Sequence, residues 1–240
     1  SGEDLSDTAV IYKKHSQSEL LIDALSKSGI PFQVGKKENL LSTILFRQLR
    51  DVLSYLTLEA DQAGAGDHEI FSLLHFDFFG IPAYDIARLS LHLSQINSSN
   101  RDSAKRTRWR DLLQDDNILR DAGIDQTEVL LEIGAKLEIL IGDVANHTSQ
   151  VFLDRVIHQL GIMEYILQHP QRIYLLQILR VLYTKLKDET ERMPTLSIVE
   201  FLAILERYGD YDIDIPVSLH VGAKQGVHLI TAHGSKGLEY

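Results

Sequence analysis

The strongest chemical signal in the sequence is a short loop near its end. A β-rich run of residues 227–230 leads into a loop that contains His233, Gly234, Lys236 and Gly237. Glycine lets backbone N–H groups come close to an anion, lysine adds positive charge, and a neutral histidine can donate a hydrogen bond. These residue types suit an anion-binding loop, and an ordinary turn after a strand is the alternative.

A second candidate site is the basic segment of residues 101–110. It holds five basic residues, one acidic residue and the only tryptophan of the chain. Positive charge beside an aromatic ring suits the backbone and bases of a nucleic acid. The expected contacts are Arg106, Arg108, Trp109 and Arg110. The alternative is a solvated helix face whose Trp109 packs inward.

Other chemistries are disfavoured by the spacing of the residues. No His-Glu-x-x-His pattern occurs, so we expect no metal site. The alternating acids of residues 210–214 resemble the start of a calcium loop, but Ile215 and Val221 stand where that loop needs glycine and glutamate. The sequence has no Gly-x-x-x-x-Gly-Lys-Ser/Thr loop and no Gly-x-Ser-x-Gly elbow. It has no cysteine, which excludes disulfides and thiolate sites.

Composition indicates a globular chain of one or two domains. The sequence has 240 residues, of which 44% are hydrophobic and 24% are charged. No apolar run approaches the roughly 18 residues that a membrane span needs, so no membrane partner is expected. The formal net charge of -10 argues against nucleic acid for a uniform surface. Here, however, positive charge is concentrated in residues 101–110 and at Lys236.

The elements around these candidate sites change character twice along the chain. The first 35 residues have a strand–helix–strand pattern, and β-rich runs return after residue 216. Helical spacing of apolar residues dominates between them, and a linker-like stretch occupies residues 61–66. Because strands must pair, we predict a mainly α fold in which the two ends form one partial α/β lobe. The predicted domains are 1–60, an inserted helical domain 61–215, and 216–240.

Residues 231–240 closely resemble motif V of the superfamily 1A DNA helicases, the UvrD/Rep/PcrA family. The family pattern is Thr-x-His-x-x-Lys-Gly-Leu-Glu followed by an aromatic residue. The matching positions are Thr231, His233, Lys236, Gly237, Leu238, Glu239 and Tyr240. Parts of residues 9–32 look like the segment that opens the second half of the family's RecA-like subdomain 2A, and residues 50–56 are similar to the helix that follows it. The family inserts an all-helical subdomain, 2B, between these two pieces, so the resemblance implies a 2B-like inserted domain and a RecA-like lobe.

The resemblance also implies roles for individual residues. Glu239 would accept a hydrogen bond from the ATP ribose, and Gly237 would let the backbone approach the nucleotide. His233 and Thr231 would lie at the track of single-stranded DNA, with Lys236 near phosphate or DNA. Gly80 occupies the place of a loop that touches duplex DNA in 2B, although Pro82 stands where the family has a second glycine.

The function that this resemblance implies is an ATP-dependent DNA helicase that translocates on single strands in repair, replication or recombination. Its cofactors would be ATP and Mg²⁺ in the full-length protein, and its partners single-stranded and junction DNA and the RecA-like lobe 1A of the same helicase. The location would be the bacterial cytosol and nucleoid. The ATP-binding Walker loops are not in this sequence, so we expect a piece of a longer helicase that is inactive alone. Two alternatives are a helicase–nuclease subunit of the RecB/AddA kind and a non-catalytic helical interaction module.

Overall fold

A computed structural model describes residues 5, 8–12, 21–22, 24–25, 27–98, 106–124, 127–222 and 226–231. The chain divides into two compact units. The first is an α/β unit of residues 1–40 and 215–240, and the second is a helical unit of residues 41–214. No helix among the described residues is both long and apolar enough to cross a membrane.

Both ends of the chain contribute strands to one four-stranded sheet. The strands are β1 (Ala9–Tyr12), β2 (Phe32–Asn39), β3 (Pro216–Gly222) and β4 (Val227–Thr231). Their order across the sheet is β1–β4–β2–β3, in which β4 runs parallel to β1 and β2 while β3 runs antiparallel to β2. This sheet confirms the prediction that the two ends form one α/β lobe with a helical domain between them.

The core of the α/β unit lies against the central strand. Leu229 is fully buried, and Tyr12 and Val227 are nearly so. Leu21 and Leu25, from the segment between β1 and β2, pack against this cluster. Alternation of apolar residues with a period of two brings them to one side of a strand, which is why the short β-rich runs of the sequence become paired strands.

The points where the chain leaves and re-enters the α/β unit are tied together. The N–H of Leu40 donates to the carbonyl of Ile215 at 2.8 Å. The N–H of Ile215 donates to Oδ1 of Asn39 at 3.2 Å. Asn39 lies opposite Pro216 in the ladder, and proline has no N–H to donate. The Asn39 side chain therefore adds a hydrogen bond at a position where the ladder lacks one.

Ten α-helices are described in the helical unit. They are α1 (Ile44–Asp61), α2 (Asp67–Leu73), α3 (Ala83–Ser98), α4 (Trp109–Leu112), α5 (Asp116–Asp121), α6 (Thr127–Asp143), α7 (Ser149–Gln159), α8 (Ile162–Gln168), α9 (Arg172–Arg192) and α10 (Ile198–Asp210). A short 3₁₀ turn, Asp77–Phe79, precedes α3. The fold is thus mainly helical, as the sequence pattern predicts.

Helix α1 is the centre of the helical unit. Its residues Leu49, Val52 and Leu56 are fully buried, and it packs against α2, α6, α9 and α10. The sequence pattern puts a domain boundary after residue 60, whereas the structure divides the chain at Leu40 and Leu41. The physical reason is that the apolar stripe of α1 is buried among helices, and residues 61–66 form the turn that ends α1 rather than a linker between units.

Candidate nucleic-acid interface

Strand β4 determines where the motif V segment starts. It lies between β1 and β2 and runs parallel to both. Its last residue, Thr231, pairs with Tyr12, the last residue of β1. Ligands of open α/β sheets bind beyond the carboxyl ends of such strands. The backbone of Thr231 is described, whereas its side chain and the predicted site residues His233, Lys236, Gly237 and Glu239 lie outside the described residues.

The start of β4 is held closely on both sides. The N–H of Val227 donates to the carbonyl of Pro31 at 2.9 Å, and the N–H of His228 donates to the carbonyl of Thr8 at 2.8 Å. A Cβ on Gly226 would lie 2.5 Å from the carbonyl carbon of Pro31. A side chain at this position would force the Pro31 backbone to move, so Gly226 permits the close approach at which β4 begins.

The described part of the basic segment is an extended stretch that enters α4. Arg106 and Arg108 are exposed, and among the described residues Arg106 is in no ion pair. Trp109 is only 8% exposed, and its ring packs on Phe71 with centroids 5.4 Å apart. The side chain of Trp109 therefore packs inward, which is the alternative that the sequence left open, and it contributes to the core of the helical unit.

Arg110 is bound by two carboxylates. Its Nη1 donates to Oε2 of Glu59 at 2.7 Å, while its Nε and Nη2 donate to the two oxygens of Glu138 at 2.5 and 2.6 Å. The hydrogen bonds with Glu138, followed by those with Glu59, raise the pKa of Arg110 against the opposing effect of burial. The guanidinium is therefore charged and already engaged within the protein.

The Glu59 carboxylate has further partners. Its side chain is 0% exposed, and it accepts from the backbone N–H groups of Gly64 at 2.9 Å and Gly66 at 2.8 Å. Buried carboxylates need such donors because an unpaired buried charge is costly. Tyr55 lies nearby, and burial followed by the charge of Glu59 raises its pKa.

Two side chains hold the backbone of the basic segment. Oδ1 of Asp67 accepts from the N–H of Trp109 at 2.7 Å, and burial raises the pKa of Asp67. Asn97 pairs with Thr107 through two hydrogen bonds of 2.9 Å, one to the carbonyl and one from the N–H. The guanidinium of Arg108 also donates to the carbonyl of Ala63 at 3.0 Å.

Sequence reasoning missed the residues that hold this segment: Glu59, Asp67, Asn97 and Glu138. Most of them lie 28 to 51 positions from the residues they bind, so no local pattern connects them. Glu59 gives one available signal, because it follows Leu56 and Tyr55 by three and four positions on the buried stripe of α1. A glutamate on such a stripe indicates a buried ion pair.

The predicted duplex-contacting loop is an exposed turn. Gly80 adopts a left-handed conformation with φ of 65°, and its N–H donates to the carbonyl of Asp77 at 3.1 Å. Phe78 of the preceding turn packs near Tyr165 with ring centroids 6.3 Å apart. Gly80 itself is exposed and precedes α3 in the chain.

The described residues contain no group of three or more histidine, cysteine, aspartate or glutamate side chains that could hold a metal ion. The acidic loop of residues 210–214 is exposed.

Comparison with known proteins agrees with this architecture. The sequence profile of the UvrD-like helicase C-terminal domain matches residues 1–240. Two curated relatives, both named ATP-dependent DNA helicase PcrA and from two strains of Staphylococcus epidermidis, are each 24% identical over 245 aligned positions. Each alignment covers 100% of this chain and 30% of the relative, so the chain spans about 30% of their length. With the profile matched from end to end, the chain belongs to the UvrD-like helicase C-terminal domain family.

Proposed function

We propose that this chain is part of an ATP-dependent DNA helicase that translocates on single-stranded DNA during repair, replication or recombination. The observation that carries the proposal is the family match over the whole chain. The position of β4 supports it, since a central parallel strand leads directly into the segment that resembles motif V. The name of the two curated relatives agrees with the same activity.

In this proposal the α/β unit provides half of a nucleotide site. Glu239 accepts from a ribose hydroxyl of ATP, and Gly237 lets the backbone approach the nucleotide. Hydrolysis of ATP, bound with Mg²⁺ by the full-length protein, would supply the free energy for translocation. Thr231, His233 and Lys236 contact the single strand, so one short segment that begins at the end of β4 links nucleotide and DNA.

The helical unit is proposed to contact DNA through its exposed cations. Arg106 and Arg108 are exposed, and each can neutralise a phosphate. Gly80, which is exposed, offers a second contact for duplex or junction DNA. Because the chain as a whole is acidic, we expect it to bind DNA only weakly on its own. We propose that it acts together with the RecA-like lobe 1A of the same helicase, in the cytoplasm.

Kinetics of the full-length protein test the nucleotide assignment. Glu239→Ala removes one hydrogen bond to ATP, which is worth about 0.5–1.5 kcal/mol, so KM for ATP should rise roughly two- to tenfold. Glu128→Ala, on an exposed part of α6, is the matched control and should leave KM unchanged. An unaltered KM in Glu239→Ala would overturn the assignment of Glu239 to the nucleotide.

A further inference from the structure

We propose that Glu59, Arg110 and Glu138 form a lock, the Arg110 lock, that positions Arg106 and Arg108 for phosphate without itself contacting DNA. The inference rests on the proposed DNA-binding function of the helical unit and specifies how that surface is arranged. It separates three arginines that look equivalent in the sequence into two contacts and one positioning residue.

The hydrogen bonds of Arg110 leave it poorly suited to bind phosphate. Three of its nitrogens already donate to Glu59 and Glu138, and its side chain is 21% exposed. A phosphate on this guanidinium would compete with carboxylates that are already bound. It would also leave Glu59, whose side chain is fully buried, without its cationic partner, which is strongly unfavourable.

The lock reaches Arg108 through the turn that follows α1. Glu59 binds the N–H groups of Gly64 and Gly66, and the carbonyl of Ala63 in the same turn accepts from Arg108. A Cβ on Gly64 would lie 2.2 Å from Nη1 of Arg108, so the glycine leaves room for the guanidinium. Glu59 thus holds Arg110 on one side and the turn that orients Arg108 on the other.

The backbone on both sides of Arg108 is fixed as well. Asp67 holds the N–H of Trp109, and Asn97 holds both polar backbone groups of Thr107. Arg106 is therefore attached to an anchored residue, while its own side chain is exposed. A cation held in place before binding loses less conformational freedom when a phosphate arrives, which increases affinity without adding a contact.

Salt dependence of binding separates contact from positioning. In a plot of the logarithm of the association constant against the logarithm of the salt concentration, the magnitude of the slope is about 0.7–0.9 for each neutralised phosphate. A loss of preorganisation instead lowers the affinity equally at every salt concentration and leaves the slope unchanged. The test is binding of the full-length protein to fluorescein-labelled single-stranded and forked DNA, followed by anisotropy over a range of KCl concentrations. The proteins are wild type and the variants Arg106→Gln, Arg108→Gln, Arg110→Met and Glu59→Gln.

The expected result has two classes. Arg106→Gln and Arg108→Gln each reduce the slope by about one phosphate contact. Arg110→Met and Glu59→Gln lower affinity by about three- to tenfold at every salt concentration and keep the wild-type slope, giving a parallel line. All binding is measured at a temperature where each variant is shown by circular dichroism to be folded.

A second ion-pair network provides the matched control. Lys185 joins Glu189 and Tyr208 across α9 and α10 at 2.6 Å each, and its side chain is 13% exposed. Lys185→Met should lower the melting temperature but leave the binding line in place. If Arg110→Met does not fold, Glu138→Gln tests the same lock. Glutamine has the shape of glutamate, so the packing is kept, but it lacks the charge that pairs with Arg110.

Each contrary outcome has a distinct meaning. A reduced slope in Arg110→Met would make Arg110 a phosphate contact and overturn the lock. Unchanged affinity in both Glu59→Gln and Glu138→Gln would make the cluster purely structural and also overturn it. Unchanged slopes in Arg106→Gln and Arg108→Gln would remove DNA binding from this segment and the lock with it, while the helicase assignment is tested separately through Glu239 and ATP.

Discussion

Substitution of Gly134 by alanine tests the packing that brings α6 to the basic segment. Gly134 lies one helical turn before Glu138 on α6. A Cβ at this position would lie 2.4 Å from the carbonyl oxygen and 3.0 Å from the Cβ of Leu113. These atoms belong to the backbone and first side-chain carbon of the chain after α4, so they cannot rotate away. Gly134 therefore permits the approach that places Glu138 beside Arg110.

The expected change in stability is the difference between a small gain in helix propensity and a larger loss from overpacking. Alanine inside a helix is favoured over glycine by about 1 kcal/mol. Overpacking of a close contact costs about 1–3 kcal/mol, and the 2.4 Å approach to a fixed carbonyl puts Gly134→Ala near the upper end. We expect a net loss of about 1–2 kcal/mol in the free energy of unfolding, with a fall in Tm of about 2–4 °C for each kcal/mol.

Urea denaturation followed by circular dichroism measures this change. Gly142→Ala on the same helix is the matched control, because a Cβ there would meet no atom within 4 Å. It should leave stability unchanged or raise it by up to about 1 kcal/mol. If Gly134→Ala were as stabilising as Gly142→Ala, α6 would not lie this close to Leu113, and the position of Glu138 in the Arg110 lock would be refuted.

Two further predictions concern the cap of α10 and the start of β4. The N–H and hydroxyl of Ser197 bond to Glu200 and lower the pKa of its carboxyl. Because the pKa of Glu200 is lower in the folded than in the unfolded chain, its carboxylate stabilises the fold at pH values above the unfolded pKa, and this stabilisation is lost as the pH falls through the folded pKa. Glu200→Gln should therefore flatten the acid side of a plot of Tm against pH. An unchanged plot would contradict the capping role. Gly226→Ala, whose Cβ would lie 2.5 Å from Pro31, should destabilise the α/β unit by about 1–3 kcal/mol in thermal melts, and wild-type stability would show that β4 starts differently.

The sheet could be predicted because its signals are local. The apolar alternation of residues 217–221 and the β-rich run of residues 227–230 coincide with β3 and β4. Strand β2 extends further than its apolar start, to Asn39, although Lys36, Lys37 and Glu38 show no such pattern. Pairing with β3 extends this polar stretch into a strand, and pairing between distant segments is not visible in a local pattern.

The arrangement of the basic segment depended on contacts that the sequence does not reveal. One tryptophan among arginines fits a stacking surface and a buried anchor equally well. Phe71 and Asp67 decide the question for Trp109, since one packs on its ring and the other binds its N–H. The boundary between the two units could not be predicted from a local pattern either. Only the packing of α6, α9 and α10 against α1 assigns that helix to the helical unit.

Strand separation by the full-length protein is the most direct test of the central claim that this chain serves a helicase. The substrate is a DNA duplex with a single-stranded tail, and the products are resolved on a native gel. The strands are expected to separate with ATP and Mg²⁺ and to stay paired with a non-hydrolysable ATP analogue. A full-length protein that binds the tailed duplex and hydrolyses ATP, yet releases no strand on any tail polarity or forked substrate, would contradict it.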